Sequence, residues 1–123
     1  MIADTNILLW LVAGSPRLRS ELREQIGYTP AIFSTISIWE ISIKVAKHRS
    51  FEAEPSEVRA ALIDLGWTEL PFIGEHAVAV RDLPAIHADP FDRALLAQAI
   101  VEGVELVTAD KALIAYGAPV RGM

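Results

Sequence analysis

The sequence predicts an α/β domain in which a mainly parallel sheet of four to five short strands is covered by helices on both faces. Short apolar runs alternate along the chain with segments of helical periodicity. The short runs are continuously apolar rather than alternating with polar residues, which is typical of strands that are buried on both faces. This alternation of strands and helices favours a parallel sheet over an antiparallel one.

Each predicted element follows from a local pattern. The predicted strands are the short apolar runs at residues 1–3, 31–34, 68–72, 104–107 and 119–121. The predicted helices, which are separated by Gly, Pro and polar residues, lie at 5–13, 16–26, 34–47, 55–65, 74–83, 92–102 and 110–116. Residues 50–55 and 84–90 are predicted loops. The chain has no internal repeat, low-complexity segment or linker, so we expect a single domain over residues 1–123.

The composition narrows the class of function. A net charge of −5 argues against a protein that grips nucleic acid by bulk charge alone. It leaves open a metal-dependent enzyme that acts on phosphates, because a bound divalent ion changes the local sign of charge. The absence of cysteine excludes disulfides and thiolate metal sites and is compatible with the cytoplasm. We expect neither a signal peptide nor a membrane span.

Four acidic residues lie at predicted junctions between strands and helices. Asp4 follows the first strand and Asp110 follows the fourth. Glu40 lies in the first turns of the helix after the second strand, and Asp92 stands at the start of the most apolar helix. Ligands of open α/β sheets bind beyond the carboxyl ends of the strands. We therefore expect these side chains to approach one another at that edge.

Helix capping is the alternative interpretation of the aspartates. Asp4, Asp89 and Asp110 each stand where an N-cap residue is favoured, and Pro90 suits a first helical position. Asp92 would then be a first-turn acid that interacts favourably with the helix dipole. For each acid alone, capping explains the pattern as well as a functional role does. For all of them together it is weaker, because the chain is expected to cross the same edge of the sheet at these positions.

Glu40 has two further structural interpretations. It can complete a capping box with Ser37, or it can form an ion pair with Lys44 one helical turn later. Its immediate neighbours are large and apolar, so its carboxylate is expected to be partly buried.

A group of converging carboxylates needs a cation. Two carboxylates ~4 Å apart repel each other by roughly 4 kcal/mol at an effective dielectric constant of about 20. Oxygen ligands alone favour Mg²⁺ or Mn²⁺. Such an ion supports in-line displacement at phosphorus by water.

The sequence resembles the PIN domain family. The resemblance extends in order over nearly the whole chain, and it is strongest to the small stand-alone PIN proteins of bacterial VapBC toxin–antitoxin pairs. The segments that carry it are Asp4-Thr5-Asn6 before an apolar helix, SIWEISIK at 37–44, HADPFDR at 87–93 followed by LAQA at 96–99, and LVTAD at 106–110.

The resemblance implies a PIN-like three-layer α/β/α sandwich and a Mg²⁺- or Mn²⁺-dependent endoribonuclease. The family's four acids match Asp4, Glu40, Asp92 and Asp110, and the three aspartates among them are the expected metal ligands.

The resemblance also implies supporting residues. Asn6 and Thr108 are expected to orient the acids by hydrogen bonds, and Asp89 to support a metal or a water. Arg93 is expected to contact phosphate or to pair with a neighbouring acid.

The implied partners are an RNA substrate, a second copy of the chain and a cognate VapB-type antitoxin. The antitoxin would typically cover the acidic cleft and would bind operator DNA through its own domain. No direct DNA contact and no membrane contact are expected for this chain.

Two rival functions fit parts of the pattern. A receiver-like phosphoacceptor fits the length and the acidic pocket, but such a protein needs an acid pair after the first strand, and only Asp4 stands there. A binding module with an acidic Mg²⁺ pocket is the other rival. His48, His76 and His87 lack metal-ligand spacing and are assigned no role, and the three tryptophans are expected to pack in the core or in an interface.

Overall fold

A computed structural model describes residues 1–18, 20–28, 30–48 and 53–122. Within these residues the strands are β1 (Ile2–Ala3), β2 (Ile32–Ser34), β3 (Thr68–Leu70), β4 (Leu106–Thr108) and β5 (Val120–Gly122). The helices are α1 (Thr5–Ala13), α2 (Ser20–Tyr28), α3 (Thr35–Lys47), α4 (Pro55–Asp64), α5 (Gly74–Ala79), α6 (Pro90–Glu102) and α7 (Lys111–Ile114). A 3₁₀ turn, Val80–Asp82, follows α5. Residues 49–52, which include much of the predicted loop at 50–55, lie outside the described residues.

All strand pairs are parallel, and the order in the sheet is β3-β2-β1-β4-β5. The prediction of a parallel sheet is therefore confirmed. The chain runs from β1 outward to β3 on one side and then continues with β4 and β5 on the other. The strand order thus reverses between β1 and β4, and the carboxyl ends of these two strands form the crevice in which α/β sheets bind ligands. A receiver-type fold has the order 2-1-3-4-5, so the sheet argues against that rival.

The central strands separate two apolar cores, which confirms the three-layer architecture. In β1, Ile2 packs in one core while Ala3 packs in the other. Leu106 and Val107 divide in the same way in β4. The first core contains side chains from α1, α3 and α4, namely Ile7, Leu8, Ile41, Val58 and Leu62. The second contains side chains from α6 and α7, namely Ala94, Leu95, Leu96, Ala97, Ala99 and Leu113.

Several element boundaries differ from prediction for identifiable reasons. The segment from Pro16 to Leu18 is a turn in which the Leu18 amide donates to the Ser15 carbonyl at 3.2 Å, so α2 begins only at Ser20. Strand β3 ends at Leu70, directly before a proline that cannot donate to the sheet.

Two boundaries near the carboxyl-terminal half follow from helix caps. Helix α6 begins at Pro90 rather than at Asp92, because Asp89 is its N-cap. Its last residue is Glu102, and its C-cap is Gly103, whose φ of 67° is left-handed. The Val104 amide donates to the Ala99 carbonyl at 3.0 Å, so residue 104 belongs to the cap, and β4 starts at Leu106 instead of at the predicted 104.

The tryptophans have different environments. Trp67 is buried, and Trp10 packs partly buried against the first core. Trp39 is 57% exposed and touches Phe91 edge-on, with ring centroids 5.0 Å apart. Its exposure excludes core packing for this residue and leaves the other predicted environment, an interface. Within the described residues, none of the helices has the length and apolar character needed to cross a membrane.

Truncating a core side chain of α6 tests the packing. Leu95 is fully buried in the second core. We expect Leu95→Ala to lower the free energy of unfolding by about 2–5 kcal/mol through lost apolar contact and the remaining cavity. Urea denaturation followed by circular dichroism measures this change. The matched control is Leu65→Ala, because Leu65 is exposed at the end of α4; an equal loss in both variants would contradict the assigned core.

Candidate active site

Asp4 lies at the carboxyl end of β1 and is only 4% exposed. Its Oδ1 accepts a hydrogen bond from the Ile7 amide at 3.0 Å and so caps α1. Its Oδ2 accepts from the hydroxyl of Thr108. Burial raises the pKa of Asp4 and the charges of Asp110 and Glu40 raise it further, whereas the two hydrogen bonds oppose the shift. This carboxylate is therefore fixed by donors in an environment that disfavours its charge.

Thr108 links the two central strands. It is the last residue of β4 and is fully buried. Its hydroxyl donates to Asp4 and accepts from the Asp110 amide at 2.9 Å. Asp110 in turn caps α7, since its Oδ1 accepts from the Ala112 amide at 2.9 Å. One hydroxyl thus sets the relative position of two of the predicted acids.

Glu40 faces a buried environment from the second turn of α3 and is 8% exposed. Its Oε2 lies 3.3 Å from Nζ of Lys44, which confirms the predicted ion pair. Its Oε1 is buried without a hydrogen-bond partner among the described residues. The predicted capping box with Ser37 is wrong, because α3 begins at Thr35 and Ser34 supplies its N-cap. An unpaired buried carboxylate oxygen is costly unless something binds it.

Asp89 and Asp92 have separate tasks at the start of α6. Oδ1 of Asp89 accepts from the amides of Phe91 at 2.8 Å and of Asp92 at 3.2 Å, so this carboxylate caps the helix. Asp92 is half-buried, and burial followed by the charge of Asp89 raises its pKa from 3.8 to about 6. The charges of Glu40 and Asp4 act in the same direction.

His87 is a site residue that sequence reasoning missed. Its Nε2 lies 2.8 Å from Oδ2 of Asp92 and 3.4 Å from Oδ2 of Asp110. Ligand atoms of these three residues all lie within 4.8 Å of one another. The spacing of His87 from the acids in the sequence does not match a metal-binding motif. The histidine comes close to Asp110 only because the folded chain brings the loop before α6 next to the end of β4. Its place five residues before Asp92 was the available signal.

Arg93 holds the segment that carries His87. Its guanidinium donates to main-chain carbonyls between residues 80 and 87, including that of Pro84 at 2.9 Å, and to the Tyr116 hydroxyl at 3.1 Å. The Tyr116 hydroxyl also accepts from the His87 amide at 3.0 Å. Within the described residues Arg93 forms no ion pair with an acid. Its contacts are those of a positioning residue for the loop.

Asn6 does not join the described hydrogen bonds of the acid group. It is exposed in the first turn of α1. Its neighbour Thr5 is buried instead, and the Thr5 hydroxyl donates to Oγ of Ser37 at 3.0 Å. That bond joins α1 to α3 next to Asp4 and Glu40.

The donors present fit a divalent cation. The group offers carboxylate oxygens from Asp92 and Asp110 and a ring nitrogen from His87 within one small volume. Asp4 is connected to Asp110 through Thr108, and Oε1 of Glu40 is buried without a partner in the part of the chain that the structure describes. Because neighbouring carboxylates add to the raised pKa values of Asp4 and Asp92, a positive ion would relieve repulsion that the protein's own hydrogen bonds leave in place.

The fold and this cluster define a class of protein, an α/β sandwich with a group of carboxylates at the switch point of its parallel sheet. The model of the PIN domain family matches residues 1–119, and the chain belongs to this family. No curated protein matches the chain in sequence.

Solved structures share the fold. The chain is similar to a chain of VapBC2 from Rickettsia felis bound to a promoter DNA fragment, with a TM-score of 0.75 and 16% identity over 98% of this chain and 96% of that one. It is similar to a toxin–antitoxin complex from Klebsiella pneumoniae, with a TM-score of 0.68 and 23% identity over 98% and 94%. DNA-bound VapBC from Salmonella typhimurium gives 0.70 and 16% over 99% and 95%.

The raised pKa of Asp92 predicts a pH dependence of stability in metal-free protein. The folded protein holds this proton up to about pH 6, whereas the unfolded chain releases it near 3.8. The contribution of Asp92 to the free energy of unfolding is therefore fully present below pH 3.8 and is lost as the pH rises through about 6. We expect Asp92→Asn to be more stable than wild type at pH 7.5, with a smaller difference at pH 4.5.

Chemical denaturation in the presence of a chelator measures this difference at the two pH values. Asp64→Asn removes one negative charge from an exposed position of α4 and serves as the control. A constant difference between wild type and Asp92→Asn across this range would contradict the assigned shift.

Proposed function

We propose that the chain is a single PIN domain over residues 1–123 that acts as a divalent-metal-dependent endoribonuclease, the toxin of a type II toxin–antitoxin pair. One observation carries the proposal. Asp110 at the carboxyl end of β4 converges with Asp92 around His87, and Thr108 joins Asp110 to Asp4 at the end of β1. Among the described residues, a buried oxygen of Glu40 has no hydrogen-bond partner. In a member of the PIN family this constellation favours phosphodiester hydrolysis over a purely structural role.

Each acid has a distinct part in the proposed reaction. Asp4, Asp92 and Asp110 would hold Mg²⁺ or Mn²⁺ through their oxygens. When bound, the ion supplies Lewis acidity and counter-charge for attack on a phosphodiester. Oε1 of Glu40 would accept a hydrogen bond from the attacking water and take its proton as the new P–O bond forms. The P–O bond to the leaving oxygen breaks in the same step, and that oxygen takes a proton from solvent water. Thr108 orients Asp4 and Asp110, while Asp89 holds the first turn of α6, which carries Asp92.

RNA is the proposed substrate on family grounds, and the charge of the chain shapes how it would bind. Because the protein has a net charge of −5, it repels the phosphates of RNA at long range. Binding would therefore depend on the cation in the acidic cleft. Lys44, which is partly exposed beside Glu40, is the nearby basic group that supports contact with the backbone.

A VapB-type antitoxin is the proposed partner, with DNA bound only through that partner. The structural neighbours are VapBC and toxin–antitoxin complexes, two of them bound to DNA. An acidic cleft with raised pKa values suits a basic side chain from the antitoxin. An open, mostly apolar groove of about 630 Å³ lies between α1 and α4. None of the four acids of the candidate site lines it, so it offers the antitoxin an additional surface. The proposed place of action is the cytoplasm, where cellular RNA is found.

A homodimer is also part of the proposal. Apolar side chains that a monomer leaves in water lie on α3 and around α5. They include Trp39, which is 57% exposed, and Val78, which is 74% exposed, together with Ile73. Pairing of two copies through this face would bury them.

Substituting the acids tests the proposed reaction. We expect Asp4→Asn and Asp92→Asn each to lower the rate of RNA cleavage about 100-fold or more, since each removes a charged ligand from the cluster. A labelled RNA pool incubated with Mg²⁺ or Mn²⁺ and resolved by gel electrophoresis measures the rate. Addition of a chelator to wild type should abolish cleavage.

Glu57→Gln is the matched control, because Glu57 is an exposed acid on α4. Its cleavage rate should equal that of wild type. Undiminished cleavage in both site variants would show that the activity arises elsewhere, and an acyl phosphate formed with a small phosphodonor would favour the phosphoacceptor function instead.

A further inference from the structure

The imidazole of His87 occupies the space between two carboxylates of the acid group. Its Nε2 is 2.8 Å from Asp92 and 3.4 Å from Asp110, and the side chain is 20% exposed. Asp92 reaches this point from the first turn of α6, and Asp110 reaches it from the end of the segment after β4. Three different parts of the chain thus present donor atoms to one volume.

We propose that His87 is a metal ligand through Nε2, which makes this a mixed nitrogen–oxygen site that prefers a first-row transition ion such as Mn²⁺ over Mg²⁺. The proposal rests on the proposed function in that it assumes a cation at the acid group. Mg²⁺ is a hard ion that binds oxygen and gives up water reluctantly. A ring nitrogen adds affinity for transition ions and little for Mg²⁺.

The position of His87 is fixed before any ion arrives. Its amide donates to the Tyr116 hydroxyl at 3.0 Å. The guanidinium of Arg93 donates hydrogen bonds to the same hydroxyl and to the main-chain carbonyls of Pro84 and Val80, which precede His87 in the chain. The loop that carries the imidazole is therefore tied to α6 and to the residues after α7. A ligand held in this way loses little conformational freedom on binding.

A role limited to hydrogen bonding is the competing explanation. In that case Nε2 only orients Asp92, and the ion contacts oxygens alone. The two explanations differ in what glutamine does at position 87. Its amide N–H can still donate to a carboxylate, but it supplies no ring nitrogen. A hydrogen-bonding role survives that change, whereas nitrogen coordination does not.

Electron paramagnetic resonance of bound Mn²⁺ separates the two explanations without any measurement of activity. Electron spin-echo modulation detects a ¹⁴N nucleus coordinated to the ion. We expect ¹⁴N modulation in wild type and none in His87→Gln. We also expect His87→Gln to weaken Mn²⁺ binding at least about tenfold, a loss that even an indirect partner of a ligand can cause. Mg²⁺ affinity, measured by competition, should change much less.

His48→Gln is the matched control, because His48 is exposed at the end of α3. It should keep both the ¹⁴N modulation and the wild-type affinity. Thermal unfolding without metal verifies that His87→Gln is folded, and His87→Ala provides a second variant that also lacks the ring.

Three results would overturn the proposal. They are bound Mn²⁺ without ¹⁴N modulation in wild type, modulation that persists in His87→Gln, and equal losses of Mn²⁺ and Mg²⁺ affinity. In these cases the metal site stands and His87 is only a hydrogen-bond partner. If wild type itself does not bind Mn²⁺, the proposed function fails, so the two failures are distinguishable.

Discussion

Repulsion between carboxylates at the carboxyl ends of β1 and β4 is the constraint on which the site depends. Three helix N-termini and one buried hydroxyl oppose it. Asp4 caps α1, Asp89 caps α6 and Asp110 caps α7, so backbone amides stabilise three of the negative charges where helix dipoles favour them. Thr108 adds a donor between the two strands. Burial, and after it the neighbouring charges, still raises the pKa values of Asp4 and Asp92, so these donors compensate for the two effects only in part.

The capping and functional interpretations of the acids turn out to be compatible, because a carboxylate has two oxygens. Asp4 uses Oδ1 for the helix and Oδ2 for Thr108. Asp110 uses Oδ1 for the helix and turns Oδ2 toward His87. Capping therefore aims the second oxygen rather than competing with its use. Asp89 differs, since both of its described bonds are made by Oδ1 to the backbone of α6.

Sequence patterns predicted the features that depend on a few neighbouring residues, but they did not predict side-chain contacts between distant parts of the chain. The parallel sheet and the positions of Asp4 and Asp110 followed from apolar runs that end in an acid, and this pattern is contained in a few residues. The contact between His87 and Asp110 joins residues 23 positions apart by way of β4, and no periodicity records it. The contacts of Arg93 likewise depend on how residues 80–87 fold back over α6. The sequence left two environments open for Trp39, the core or an interface, because its apolar character does not say which helix face it occupies.

The same electrostatic constraint connects the proposed cation with the proposed inhibitor. Because burial and neighbouring charges raise the pKa of Asp92 to about 6, ionisation of this side chain near neutral pH lowers the free energy of unfolding. Any positive group that binds the folded state alone then stabilises it, by an amount that grows with concentration relative to Kd. A divalent ion and a basic side chain of an antitoxin would each be stabilised by the same ionised carboxylates. The two would therefore compete for one cleft, and occupancy by the protein partner would exclude the ion on which hydrolysis depends.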